Sequence, residues 1–315
     1  AARQWQVVKE EYFTATGRCA VKTQTGLVLA LKYHLSDNER LTEQMLRKLL
    51  RDNKNKLNTG FVGTPLLCNV LTEHGMTDLA YRLLLNEEYP GWLHEVKLGA
   101  TTVWERWNSL DENGRISSTG MNSLNHYSYG AVLEWIFRHV AGIDVTEQGP
   151  GGKMMRISPK VDHKLGSASA VYDSASGCYR CGWQIENGDQ ITVTVTVPFG
   201  AKAQVILPYA PDSVYHDTDN PLFETVENGI CCVKAGQYTV TYKAASPLKK
   251  SYSVDSTLED LLAEPAIRAF LSNMMEVDMI PDLAYGLTLR QAAEAFAGGV
   301  SAEQAQRLNA LLEEF

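Results

Sequence analysis

Residues 190–197 read Gln190-Ile191-Thr192-Val193-Thr194-Val195-Thr196-Val197, eight positions in which polar and apolar residues alternate. A period of two sends alternate side chains to opposite faces of an extended chain, so the segment is a strand with one buried face. Glu186-Asn187-Gly188-Asp189 ahead of it is a hairpin turn, and so is Asn228-Gly229, because Asn and Gly accept the left-handed backbone of tight turns. Gln204-Val205-Ile206-Leu207, Thr225-Val226, Ile230 to Val233 and Tyr238 to Tyr242 follow as further strands. Short strands separated by turn signals predict an antiparallel β-sandwich over residues 144–250.

Upstream, over residues 1–143, the period is helical. Val21 to Leu31 is an apolar run, and Ser36-Asp37 is placed to cap a helix whose buried stripe is Leu41, Met45, Leu49 and Leu50. Gly60-Phe61-Val62-Gly63-Thr64-Pro65 is a turn that starts a helix over Leu66 to Glu73, which Gly75 stops. Thr77-Asp78 opens the next, through Leu79, Leu83 and Leu84, ended near Tyr89-Pro90-Gly91. A last helix runs from Ala131 through Val140 and closes at Gly142. Downstream, residues 251–315 carry three capping-box patterns, Ser256-x-x-Glu259, Thr288-x-x-Gln291 and Ser301-x-x-Gln304, each ahead of an apolar-periodic run. They predict short helices over Leu258 to Leu262, Ile267 to Met275, Arg290 to Phe296 and Glu303 to Leu312.

The 315 residues are 44% hydrophobic and 21% charged, the balance of an ordinary globular protein. No apolar run reaches the length of a membrane span. A net charge of -8 with dispersed Lys and Arg argues against a nucleic-acid partner and suits a neutral ligand. Six cysteines, with one CxxC at Cys178 and Cys181 and an adjacent pair at Cys231-Cys232, leave two readings, buried free thiols or a zinc site. The first is preferred, and no metal or cofactor is expected. The start of the chain shows no signal-peptide pattern, but the sequence opens AARQWQVV without a Met, so that start decides nothing; a cytoplasmic location is the expectation.

The stretch richest in chemistry is Leu98 to Tyr129, LGATTVWERWNSLDENGRISSTGMNSLNHYSY. A carboxylate, Glu105, stands between the indoles of Trp104 and Trp107. A Gly/Asn/Ser-rich loop then leads to Asn125-His126-Tyr127. Flat rings for a pyranose face, polar groups for its hydroxyls and a base are the composition of a sugar pocket. Each residue also has a structural reading: Glu105 as an ion pair with Arg106, His126 as a satisfied buried histidine, Trp104 and Trp107 as core. Tyr127 and Tyr129 are read as packing, and Asp111 and Glu95 as the first places to look for a second carboxyl group.

Five strings in order, GFVGTP from Gly60, LTEHG from Leu71, AYRLL from Ala80, GATTVWERW from Gly99 and MNSLNHY from Met121, closely resemble the bacterial α-L-rhamnosidases. The resemblance spans roughly residues 10–145, continues more weakly into the sandwich around Ser167 to Asp173 and Val205 to Pro208, and does not extend past about residue 255. It implies a partial (α/α)6 toroid followed by a β-sandwich, and an inverting hydrolase acting on terminal α-L-rhamnose. On it Glu105 is the general base and His126 hydrogen-bonds the sugar; Trp104 and Trp107, read from composition, would bind the sugar's apolar face. The family's general acid lies in a stretch patterned Asp-x-x-x-Arg-x-Glu-x-x-x-Trp, which this chain lacks.

The helix count points the same way: residues 1–143 hold five or six helices where a closed ring of six hairpins takes twelve. The expectation is therefore the C-terminal portion of a rhamnoside hydrolase, incompetent alone, its open faces covered by the missing N-terminal half or by a homo-oligomer. The rival readings are another (α/α)6 glycosidase or lyase, and a non-catalytic carbohydrate-binding or assembly module.

Overall fold

Capping and turn chemistry place most of the helices. The structure, a computed structural model, describes residues 2–117, 120–313 and 315. Its contacts divide into two units, one of Ala1–Leu50 with Lys56–Leu248, the other of Arg51–Asn55 with Lys249–Phe315.

In the first unit the helices are α1 (Ala2–Tyr12), α2 (Gln24–Lys32), α3 (Glu39–Asp52), α4 (Thr64–Glu73), α5 (Thr77–Leu84) and α6 (Trp92–Lys97). A helical run then goes from one 3-10 turn, Ser128–Ala131, through α7 (Val132–Trp135) to a π turn, Ile136–Val140. Thr23 caps α2 by accepting the Gly26 N–H. Pro65 sits in the first turn of α4, where a missing N–H costs nothing. The α3 cap is Asn38, whose Oδ1 accepts the Leu41 N–H (3.1 Å), in place of the expected Ser36-Asp37. The fully buried stripe is accordingly Thr42, Leu46 and Leu50, with Met45 and Leu49 packed at its edge. The Thr42 hydroxyl is satisfied by donating to the Asn38 carbonyl (3.3 Å). Leu27, Leu31, Leu67, Leu71 and Leu83 close this core around Trp135, whose indole N–H donates to Thr72 Oγ1 at 2.8 Å.

The sandwich of the same unit has nine strands among the described residues. One sheet is β3 (Ser167–Ser174), β4 (Gly177–Glu186), β5 (Gln190–Val197) and β9 (Gly236–Lys243), all antiparallel. The other runs in the order β1 (Ile143–Val145), β2 (Met154–Ile157), β6 (Lys202–Val205), β8 (Ile230–Val233), β7 (Val226–Glu227). Ile191, Val193, Val195 and Val197 are buried, the face that the alternation assigned to the core. Both predicted turns place two successive residues at positive φ, Asn187 (52°) with Gly188 (80°) and Asn228 (51°) with Gly229 (74°), the backbone that joins twisted strands tightly. The second sheet is not wholly antiparallel: β6 runs parallel to β2. The chain leaves β2, builds the β3–β5 meander in the other sheet and returns beside it, a crossover with no local signature. Trp183 ties the sandwich to the last helical run by donating to the Val140 carbonyl (2.7 Å).

The second unit is helical, with α8 (Leu258–Ala263), α9 (Pro265–Ser272), α10 (Leu289–Phe296) and α11 (Ala302–Leu312). Thr288 with Gln291 and Ser301 with Gln304 form complete capping boxes. The first helix is capped one residue later than expected, by Thr257, which accepts the Asp260 N–H. Two backbone bonds, Leu258 N–H to the Leu287 carbonyl (2.9 Å) and Leu289 N–H to the Ser256 carbonyl (3.0 Å), set this register by laying the two N-caps side by side. Leu258, Leu261, Leu262, Ile267, Leu271 and Leu312 form its core.

Candidate active site

The Gly99–Asn125 stretch is held by a short irregular ladder. The Glu105 N–H donates to the Ser123 carbonyl (2.9 Å) and the His126 N–H to the Val103 carbonyl (2.8 Å), so two residues twenty-one apart in sequence occupy neighbouring rungs. The Thr102 hydroxyl donates to the Leu124 carbonyl beside them. The loop between is drawn in by Ser109, fully buried, whose hydroxyl donates to Asn122 Oδ1 (2.6 Å) while Asn122 Nδ2 returns to the Ser109 carbonyl (2.9 Å). Asp111 shapes the tip by accepting the N–H groups of Asn113 and Arg115 (2.9 and 2.8 Å), so its carboxylate serves the turn.

Six rings pack in series behind this ladder. His126 lies between Tyr127 and Phe61, stacked on each at 5.0 and 4.8 Å. Phe61 meets Tyr129 edge-on at 5.5 Å, Tyr129 stacks flat on Trp107 at 4.0 Å, and Trp107 abuts Trp92 edge-on at 5.4 Å. Phe61 comes from the Gly60–Pro65 turn, which explains why that distant string accompanies the Trp104–Trp107 segment. Trp104 and Trp107 are 2% and 8% exposed, so the indoles lie beneath the surface. The open rings are Tyr127, which is 86% exposed rather than packed, and Phe61; Tyr129 is buried as expected. Phe61 and Trp92 carry no chemistry of their own, and composition around Glu105 could not have pointed to them.

Glu105 and His126 are both half-buried. Among the described residues the Glu105 carboxylate forms no hydrogen bond or ion pair, which leaves it available to a ligand. Glu95 contrasts with it. This residue sits on α6, a six-residue helix missing from the sequence-based expectations because the Gly91 stop signal precedes it, and it is 4% exposed. Its Oε1 has no hydrogen-bond partner. Burial pushes its pKa up to about 8, with the Trp104 backbone pulling more weakly the other way. Burial also raises the Tyr129 phenol, with Glu95 and Tyr89 adding to the effect, Arg106 opposing it and Glu105 adding to it, so these groups converge on one ring. Two carboxyls in unlike environments are the raw material of acid–base chemistry. The burial that keeps Glu95 protonated, however, also keeps it from a glycosidic oxygen.

Cys178 and Cys181 stand three apart on β4, which turns them to opposite faces, Cys181 buried and Cys178 half-buried beside Asp173. No helix of the described residues is long and apolar enough to cross a membrane.

Comparison with known proteins matches residues 1–140 to the bacterial alpha-L-rhamnosidase 6 hairpin glycosidase domain and residues 142–220 to the bacterial alpha-L-rhamnosidase C-terminal domain. The chain is 39% identical over 221 residues to an alpha-L-rhamnosidase of Alteromonas sp. (strain LOR), covering 69% of this chain and 23% of that one. With an alpha-L-rhamnosidase of Streptomyces avermitilis it shares 35% over 228 residues, 71% of this chain and 22% of the relative. Among solved structures, the Streptomyces avermitilis alpha-L-rhamnosidase complexed with L-rhamnose superposes with a TM-score of 0.68 at 32% identity, over 77% of this chain and 24% of that one. The native enzyme of Aspergillus terreus does so with a TM-score of 0.67 at 28% identity, over 78% and 26%. The chain thus spans about a quarter of the length of these relatives. With the two domain matches adjoining at Ala141, where the last helical run meets the sandwich, residues 1–220 of this chain belong to the bacterial α-L-rhamnosidase family.

Proposed function

We propose that this chain supplies the base side of an inverting α-L-rhamnosidase site, with residues 1–143 part of the helical ring, 144–250 the sandwich and 251–315 a helical appendage. The reading rests on the ladder that seats Glu105 beside His126, next to an open ring face, inside the matched glycosidase domain. Inverting hydrolysis uses two carboxyls about 6.5–9.5 Å apart: one protonates the leaving oxygen while the other deprotonates a water attacking the opposite face of the sugar. Glu105 takes the second role. His126 hydrogen-bonds a ring hydroxyl, and Trp107 and Trp104 back the wall of the pocket. The acid comes from outside these residues, since Asp111 is engaged in its turn and Glu95 is buried. The upstream hairpins of the ring, or a second copy, cover the faces that a partial ring leaves open. The substrate is a rhamnose-terminated glycoside. Six free cysteines fit a reducing compartment, hence the cytoplasm.

Hydrolysis of an aryl α-L-rhamnoside tests this. The chain alone should give no turnover. Fused to the upstream portion of the Alteromonas relative, it should release rhamnose with inverted anomeric configuration, and the same fusion carrying Glu105→Gln should not. Robust turnover by the chain alone would refute the shared site, and an active Glu105→Gln fusion would refute the base.

A further inference from the structure

The His126 residue is held in three ways, each acting on a different freedom. Its backbone is fixed through the N–H, which donates to the Val103 carbonyl (2.8 Å). Two residues on, the Ser128 N–H opens the 3-10 turn Ser128–Ala131, where the helical backbone offers it no acceptor. Ser128 is 4% exposed, so water is a poor substitute, and an unpaired N–H there would be costly. This N–H donates to His126 Nδ1 at 3.3 Å. A ring nitrogen that accepts a hydrogen bond carries no proton, so the neutral imidazole has its proton on Nε2. Among the described residues no group bonds Nε2, which leaves that N–H to a ligand.

The plane of the ring needs a restraint of its own, because rotation about the last bond of a histidine side chain meets only broad minima. Phe61 lies within 16° of parallel to the imidazole at 4.8 Å, and Tyr127 covers the other face at 5.0 Å and 16°. Tyr127 is 86% exposed, so little holds its own ring; the fixed face is that of Phe61. The turn that carries Phe61 is pinned by the bond between the buried Thr59 and Thr64 hydroxyls (2.7 Å). It is also pressed onto Thr25 at Gly63, where an added Cβ would lie 2.4 Å from the threonine Oγ1.

We propose that His126 meets its ligand as a hydrogen-bond donor through Nε2, and that Phe61 is the positioning residue that keeps it in that pose. With Nδ1 engaged and both faces covered, Nε2–H is the polar edge the ring offers. It takes an oxygen lone pair, from a hydroxyl or ring oxygen of a neutral sugar, and leaves the hydroxyl's own proton to another acceptor. The nature of that ligand rests on the rhamnosidase reading; the tautomer and the clamp rest on Ser128 and Phe61.

Nitrogen-15 NMR of the imidazoles in the 315-residue chain reads the tautomer, with the His126 signals identified by their loss in His126→Ala. In neutral His126 of the wild type, Nε2 should appear as the protonated nitrogen and Nδ1 as the bare one. Phe61→Leu should draw the two shifts toward each other, as the ring swings and both tautomers are populated, while Phe61→Tyr keeps the wild-type pair. Phe61→Met makes the same comparison should the leucine variant fail to fold. In the fused hydrolase Phe61→Leu should lower kcat/KM about threefold to tenfold, and Phe61→Tyr should restore it. Phe61→Leu should cost nothing further once His126 is replaced by alanine. A proton on Nδ1 in the wild type would overturn the donor role. Unchanged shifts in Phe61→Leu, or a loss of equal size with and without His126, would overturn the clamp and make Phe61 a surface for the sugar itself. The spectra need no turnover, so an inactive fusion, or an active Glu105→Gln one, sinks the hydrolase reading alone.

Discussion

Glu95→Gln should flatten the dependence of the first unit's stability on pH. The folded carboxyl titrates at about 8 and the unfolded one at 4.5. Between these values the unfolded chain has lost a proton that the folded chain keeps. Stability is therefore whole below pH 4.5 and falls as pH rises, by about 1.4 kcal/mol per unit, until the folded group also ionises. From pH 6.5 to 8 the wild type should lose about 1.6 kcal/mol from this source, the slope easing as the folded group begins to ionise. The glutamine amide has no proton to release, so its contribution is level. A buried amide lacking a partner costs roughly 1–3 kcal/mol, but equally at each pH, which leaves the slope as the diagnostic quantity. All six tryptophans, at 5, 92, 104, 107, 135 and 183, lie in the first unit, so urea unfolding followed by indole fluorescence reports on it alone. Parallel profiles for wild type and Glu95→Gln between pH 6.5 and 8 would refute the reasoning.

His139 should shape the acid side. Burial, helped by Arg138 and opposed by Asp144 and Glu73, lowers its pKa to about 4, so stability is present above pH 6.5 and drains as pH falls toward 4. His139→Gln should remove that limb in the same urea assay, and an unchanged acid limb would discount the buried histidine. Gly142→Ala should destabilise the first unit by roughly 2 kcal/mol or more, because the residue sits at a φ of +82° and a Cβ there would lie 2.2 Å from the Pro159 nitrogen; a wild-type melting profile would contradict the tight joint. In native protein a disulfide reagent should label Cys232, which is exposed, and should reach Cys68, Cys181 and Cys231 only on unfolding, since burial holds those thiols at about 12, 12 and 11. Rapid native labelling of Cys181 would show the sandwich to be open.

Strand β5, the two Asn-Gly turns, the Pro65 helix start and the Thr288 and Ser301 capping boxes were all legible in the sequence. Each depends on side-chain period or on backbone geometry within about four residues, where the chain interacts with itself before any fold exists. The strings around Glu105 and His126 were legible too, though only as a pattern. Their meeting required backbone bonds from Val103–Glu105 to Ser123–His126.

What tertiary structure alone decided is burial and partnership. It placed β6 parallel to β2, shifted the α8 cap from Ser256 to Thr257, and sank Trp104 and Trp107 while leaving Phe61 and Tyr127 open. It also turned Glu95, on a helix too short to announce itself, inward to 4% exposure, where burial pushes its pKa up to about 8. The free energy of a ring face or a carboxyl is set by what surrounds it, and those surroundings come from residues tens of positions away. A linear pattern can nominate the groups that do chemistry, but only packing assigns the medium in which they act.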